Sequence, residues 1–265
     1  NNEVSIKDDK VLDLVELYTR NSRWEGRGRF DTPGAIGRLL LRLKRHRQQR
    51  NSLFSSRHNV KHHYDLSNEF YRMWLDLRMQ YSCAYWPDAR IEDNGQLASN
   101  LYLDEAQVAK LAHIAAKLHL RKGLKILDIG SGWGGLAIYL HQISGAEVLG
   151  ITLSVEQLKW ARAKAKELGI DDKVRFELLD YRELAVSAAE NPALKFDRIV
   201  SVGMFEHVGV PQYPVFFNAL SNLLAADGVA LLHTIGRMGV PGTTDSFTRN
   251  YIFPGGYIPA LSEII

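Results

Sequence analysis

The sequence predicts an α/β fold: one parallel sheet with helices on both faces, preceded by a helical N-terminal region. Three observations carry this. From residue 125 onward, strand-like apolar runs alternate with helical periods. A glycine-rich turn follows the first of those runs. The 265 residues suffice for one sizeable core and a smaller appendage.

KILDIG (125–130), AEVLGIT (146–152), KVRFELL (173–179), KFDRIVSVG (195–203) and GVALLHTI (228–235) read as strands. Helices are expected over 134–143, 154–168 and 212–225, with a loop or short helix after the third strand. Upstream, Val108, Leu111, Ile114, Ala115 and Leu118 recur at helical spacing and predict a helix over 102–120. Residues 51–90 are dense in aromatics; 67–77 are expected to be helical and 81–86 a loop. Residues 3–20 read as an amphipathic helix with Val11, Leu14, Val15 and Leu17 on one side. Thr32 and Pro33 then open a second one, carrying Ile36, Leu39, Leu40 and Leu43 among Arg38, Arg42, Lys44, Arg45 and Arg47. A helix of that composition suits either a membrane surface or a packed position with cationic edges.

Composition narrows the function classes. The single cysteine, Cys83, rules out a disulfide framework or a Cys-rich metal site and fits a reducing cytoplasm. No apolar run approaches the roughly 18–20 residues of a membrane span, and NNEVSIKDDK does not read as a signal peptide. Residues 20–61 hold 12 Lys/Arg against Glu25 and Asp31, a net of +10 in a chain of net charge +3. A basic arm on an acidic body points to an anionic surface, phospholipid or nucleic acid. His58, His62 and His63 lack a carboxylate or thiol to complete a metal set, so no metal site is expected.

LDIGSGWGG (127–135) is a strand, a turn and a helix start. Glycines at 130, 132 and 134 allow a tight turn and close backbone approach to a ligand, in a G-x-G-x-G spacing that differs from the dinucleotide pattern. Asp128 precedes the turn, as in S-adenosylmethionine sites, where an acid helps to hold the methionyl amino group. This predicts the class I S-adenosylmethionine methyltransferase fold, a Rossmann-like sheet. Its common form has seven strands and five are legible here, so the last strands are expected to be missing. The expected organisation is a basic helical region over 1–60, a helical cap contributing to the active site over 61–120, and a C-terminally incomplete methyltransferase domain over 121–265.

The second strand runs into Thr152, Leu153, Ser154 and Gln157 rather than the usual ribose-binding acid. Thr152 and Gln157 can hydrogen-bond a ribose, but Ser154 and Gln157 also read as a capping box. Asp180 and Tyr181 after the third strand suit an adenine amino group and ring, or equally a helix cap and a core tyrosine.

Seven segments in order, HHYDLSNEFYRMWLD (62–76), MQYSCAYW (79–86), LDIGSGWGG (127–135), GITLSVEQ (150–157), VGMFEHVG (202–209), LLHTIGR (231–237) and YIFPGGYIP (251–259), resemble the cyclopropane-fatty-acyl-phospholipid synthase family, including the mycolic acid cyclopropane synthases. The resemblance implies methyl transfer from S-adenosylmethionine to a cis double bond of a phospholipid acyl chain, then proton loss that closes a cyclopropane ring. It implies cofactor contacts from Tyr81, Ser82, the 127–135 turn, Thr152, Leu153, Gln157, Asp180 and Tyr181. It also implies a bicarbonate ion held by Cys83, Glu206 and His233 with the Gly203 backbone N–H, and a further tyrosine beyond Ile265. The partner would be unsaturated phospholipid in an anionic membrane, met by a cytoplasmic protein peripheral to its inner face. Homodimer formation stays open. Three alternatives are a fatty-acyl methyltransferase giving a methyl- or methylene-branched product, a small-molecule N- or O-methyltransferase, and a basic nucleic-acid- or membrane-binding module.

Overall fold

The computed structural model describes residues 11–21, 49, 51, 67–92, 97–191, 194–244 and 247–265. The basic helix expected from residue 33 and the three histidines of 58–63 lie outside them. Helix α1 (Val11–Asn21) covers part of the first expected helix and exposes Val11, Leu12, Leu14, Val15 and Leu17.

A short helix α2 (Asn68–Arg72) is capped by Ser67, whose hydroxyl accepts from the Phe70 N–H. Helix was expected to run to residue 77, but it stops at Arg72. The Asp76 carboxylate instead gathers the backbone N–H groups of Gln80 (2.6 Å) and Arg78 (3.2 Å) and the Gln80 side-chain amide (3.0 Å). These side-chain-to-backbone bonds lie just past the expected helix. They close a turn that holds Met79 at φ +56°, a conformation uncommon outside glycine. A two-stranded hairpin, β1 (Arg90–Ile91) and β2 (Leu97–Ala98), precedes helix α3 (Leu103–Lys117).

The main body is a five-stranded, wholly parallel sheet in the order β5-β4-β3-β6-β7, built from β3 (Lys125–Ile129), β4 (Glu147–Thr152), β5 (Val174–Leu178), β6 (Phe196–Val202) and β7 (Leu224–His233). Between these strands run α4 (Gly135–Ser144), α5 (Val155–Glu167), α6 (Tyr181–Glu190) and α7 (Tyr213–Leu223). The chain ends in α8 (Leu261–Ile264). Helix α6 is a full ten residues rather than a loop or short helix. Asp180 caps it, and the Glu183 side chain returns to the Asp180 N–H, a reciprocal cap that satisfies two orphan donors.

Strand alternation sends Ile126 to one face of the sheet and Leu127 and Ile129 to the other. Ile126, Val148, Val174 and Phe176 pack against Leu111, Leu118, Leu140 and Ala161 of α3, α4 and α5. Leu127, Ile129, Ile151 and Ile199 pack against Leu184, Phe216 and Leu223 of α6 and α7. Each Val, Ile, Leu or Phe among them, fully buried, contributes roughly 1.5–3 kcal/mol. The strand order reverses at β3, which places a crevice beyond the carboxyl ends of β3, β4 and β6.

Candidate active site

That crevice is a cleft of about 1150 Å³, part of it open to solvent. Tyr81, Ser82, Asp128, Gly130, Gly132, Thr152, Leu153, Gln157, Asp180, Tyr181 and Gly203 all line it. The glycine turn forms one wall. The N–H groups of Gly130 and Ser131 donate to the Ile151 carbonyl (2.9 and 3.0 Å), tying the turn to the end of β4. At Gly130 φ is +81°, and a Cβ there would lie 2.8 Å from the Met204 Cβ. Gly134 is not on the cleft wall. It caps α4 at φ +88°, and a Cβ would lie 2.7 Å from the Phe176 ring. Its requirement is the close packing of helix on sheet.

Asp128 is 2% exposed, and its Oδ2 and the Ser131 Oγ have no hydrogen-bond partner among the described residues. Burial pushes the Asp128 carboxyl up to about 7. Buried polar atoms are almost always paired, so two unpaired ones on a cleft wall fit an ammonium-bearing ligand.

Thr152 donates its hydroxyl to the Gln157 carbonyl oxygen (2.8 Å) and accepts from the Ser154 N–H (3.2 Å). Ser154 caps α5 by accepting from the Gln157 N–H (3.3 Å). The capping box is therefore half formed: the Gln157 side chain turns to Thr152, which leaves its NH2 for a ligand. Asp180 is both helix cap and ion-pair partner, its Oδ2 2.7 Å from the Arg182 guanidinium. Tyr181 is 7% exposed and packs edge-on against Phe216 (5.2 Å), as a core tyrosine does. Both still reach the cleft.

Tyr81 joins the cleft to an aromatic cluster behind it. Tyr81 meets Tyr71 (5.6 Å) and Trp74 (5.2 Å) and stacks on Phe253 (6.3 Å). Phe70, Trp74, Met73 and Leu77 beside them are exposed.

Cys83, Glu206 and His233 lie outside the cleft lining, next to it. Glu206 sits in a single 3-10 turn (Phe205–His207) after β6, and His233 ends β7. The Glu206 Oε1 accepts from the Ile235 N–H (2.6 Å), and the Tyr257 N–H donates to the Glu206 carbonyl (2.8 Å). Glu206 Oε2 and His233 Nδ1 are buried and unpaired among the described residues. Burial lowers the His233 pKa, against the opposing charge of Glu206. Cys83 is exposed. The Gly203 N–H donates to the His233 carbonyl (3.1 Å), continuing the β6–β7 ladder. That donor is therefore engaged with backbone and is not free to hold an anion; Gly203 serves the wall with its bare Cα.

Two residues escaped the sequence reading. Lys110 of α3 is 4% exposed, lines the cleft and donates to the Ser82 hydroxyl (2.7 Å). Its signal was readable: Gln107 and Lys110 stand in the same stripe as Ala106, Leu111 and Ile114. Asn51 gave no local signal. Its amide NH2 donates to the carbonyls of His207 (2.7 Å) and Gly255 (3.0 Å), and its own carbonyl accepts from Arg182 (2.9 Å).

A model of the mycolic acid cyclopropane synthetase family matches residues 51–265. The chain belongs to that family. It is 44% identical over 204 residues to the cyclopropane-fatty-acyl-phospholipid synthase of Escherichia coli K12, which covers 77% of this chain and 47% of that protein. The chain thus spans about half the length of such curated relatives. Among solved family structures, the cyclopropane synthase MmaA2 from Mycobacterium tuberculosis superposes with a TM-score of 0.68 at 32% identity, covering 78% of this chain and 71% of that one. Mycolic acid cyclopropane synthase CmaA1, solved with S-adenosylhomocysteine and CTAB, gives 0.64 at 33% identity with the same coverage. These relatives bear out the class I methyltransferase fold.

Proposed function

We propose that this chain carries the methyl-transferring site of a lipid cyclopropane synthase, using S-adenosylmethionine and an unsaturated phospholipid acyl chain, with bicarbonate as base. The observation that carries the reading is the pair of buried, unpaired atoms Glu206 Oε2 and His233 Nδ1 beside the cleft mouth. A small anion with one O–H and two acceptor oxygens matches that pair: Glu206 accepts, and neutral His233 donates from Nδ1 in one tautomer. Asp128, Ser131, Gln157 and the glycine turn would hold the methyl donor. A relative solved with S-adenosylhomocysteine supports that assignment.

The bound cofactor supplies an electrophilic methyl group, and the anion a proton acceptor at a carbon with no polar handle. The protein's share is position and environment. An alkene is a weak nucleophile, so rate depends on holding donor and acceptor in line. Positive charge developing on the acyl chain would be favoured by a ring, and Tyr81 brings one to the cleft lining. Exposed Phe70, Met73, Trp74 and Leu77 offer an apolar surface to a lipid, and the basic 20–61 segment an attraction to anionic headgroups. No helix among the described residues is long and apolar enough to cross a membrane. On this reading the basic segment and the apolar surface would bring the protein to the inner membrane surface as a peripheral enzyme.

The test is to incubate the whole protein with unsaturated anionic phospholipid vesicles and methyl-labelled S-adenosylmethionine, with and without bicarbonate. Label in acyl chains one methylene heavier, dependent on bicarbonate, is expected. Absence of label from the lipid would overturn the reading. Chemical degradation of the product distinguishes a ring from a methyl or methylene branch.

A further inference from the structure

Among the described residues, Lys110 is a buried cation that no carboxylate pairs. Among the described residues, no acidic oxygen lies within ion-pair distance of its ammonium, whose single hydrogen bond goes to the Ser82 hydroxyl at 2.7 Å. Asp76 acts on it from beyond ion-pair distance, and it acts in turn on His233. Asp76 is already committed to Gln80 and Arg78. An ammonium has three donors, and burying one without a counter-ion is costly.

The bond to Ser82 has a direction. Lysine only donates, so Ser82 Oγ accepts, and its own O–H is left to donate elsewhere. Ser82 and Lys110 both line the cleft, together with Gly203 and Asp128. Ser82 also lies against Gly203, where a Cβ would be 3.5 Å from the Ser82 Cβ. Gly203 in turn bonds the His233 backbone. The Lys110–Ser82 pair therefore stands on the part of the cleft that borders Gly203, on the side of His233.

We propose that Lys110 and Ser82 form a carboxylate-binding pair: the ammonium supplies the charge and polarises the serine, and the serine O–H and a remaining ammonium N–H donate to the anion. This rests on the cleft being the S-adenosylmethionine site. Two carboxylate-type groups would come to that junction: the methionyl carboxylate of the cofactor, and bicarbonate. The charge balance favours an added cation for either. Glu206 and a bound bicarbonate would be like charges, and burial disfavours the charged form of His233. Arg182 is held by Asp180. Burial lowers the Lys110 pKa to about 8, so the pair would release its anion as pH rises through that value.

The test compares the whole wild-type protein with K110M, K110R and S82A. Calorimetry would measure binding of S-adenosylhomocysteine and of 5′-methylthioadenosine, a nucleoside thioether without the amino-acid carboxylate. Turnover would give the half-saturating bicarbonate concentration. If the methionyl carboxylate is the guest, K110M weakens S-adenosylhomocysteine by about ten-fold or more while 5′-methylthioadenosine is unchanged, S82A shows a smaller selective loss, and K110R restores most of the affinity. If bicarbonate is the guest, its half-saturating concentration rises about ten-fold in K110M with both nucleosides unaffected. Unchanged values in all arms, or equal weakening of the two nucleosides, would overturn the inference and make Lys110 a structural peg. Failure of the wild type to bind either nucleoside would overturn the cofactor reading itself, and this inference with it. Retained 5′-methylthioadenosine binding reports that each variant is folded.

Discussion

Glu206 gives one carboxylate oxygen to the Ile235 backbone N–H at 2.6 Å and leaves the other buried without a partner. The bonded oxygen fixes the side chain, and the unbonded one is left for a ligand. Glu206→Gln keeps the shape but turns an acceptor into a donor or loses the tether to Ile235. Turnover is expected to fall about 10²–10⁴-fold, in line with loss of a group that positions a base. S-adenosylhomocysteine affinity should stay within about two-fold, because Glu206 is not on the cofactor wall. A matched loss of affinity and turnover would place Glu206 in cofactor binding instead.

The Asp76 carboxylate closes the turn that delivers Tyr81 and Ser82 to the cleft. Removing it in Asp76→Ala leaves the N–H groups of Gln80 and Arg78 without their charged acceptor and releases Met79 from its positive φ. Chemical denaturation should show a loss of about 2–4 kcal/mol. Cofactor affinity should weaken as well, and Asp76→Asn should fall between the two. Unaltered affinity in Asp76→Ala would mean that the turn holds without its carboxylate.

Two of the glycines in the turn, Gly134 and Gly130, separate packing from binding. Gly134→Ala drives a Cβ into Phe176 at a positive φ, so stability should drop by about 2–4 kcal/mol while cofactor affinity changes little. The double change Gly134→Ala with Phe176→Leu should recover part of that loss, since only the steric share is relieved. Gly130→Ala meets Met204 on the cleft wall and should reduce both stability and affinity. Denaturation midpoints and calorimetry on the same preparations decide between these patterns.

The strand–helix alternation was legible because each element's period is local, and all five sheet strands fall within the expected runs or a few residues of them. The errors have local causes. Past α2 the chain turns at Asp76, whose carboxylate ties the Arg78 and Gln80 N–H groups, a turn that helical spacing does not signal. Helix α6 was under-read, although Asp180 and Glu183 stand at capping-box spacing. The cleft-facing residues of the glycine turn, Thr152 and Gln157 were legible because they follow strand ends, where such sheets bind ligands. Lys110 required noticing a cation inside an apolar stripe. Asn51 could not be read at all: its partners His207 and Gly255 lie 156 and 204 residues away, and only the folded chain joins them.

Asp128 opposes stability to function. Burial lifts its carboxyl from 3.8 to about 7. Between those values the folded state keeps a proton that the unfolded chain has lost, so stability without cofactor should fall as pH rises through that window and level off above about 7. A shift of this size corresponds to a few kcal/mol. Asp128→Asn carries no charge to bury. It should raise the melting temperature at pH 8, leave it little changed at pH 4, and flatten the profile between. Binding runs the other way. A cofactor ammonium selects the ionised carboxylate, so affinity in the wild type should rise between pH 6 and 8, with proton release on binding below about 7. In Asp128→Asn that rise should vanish and affinity should fall by about ten-fold or more, the loss expected for a charged hydrogen bond. Calorimetry in buffers of different ionisation enthalpy counts the released proton. An Asp128→Asn protein that is no more stable at pH 8 than the wild type would show that the carboxylate is better solvated than its burial implies.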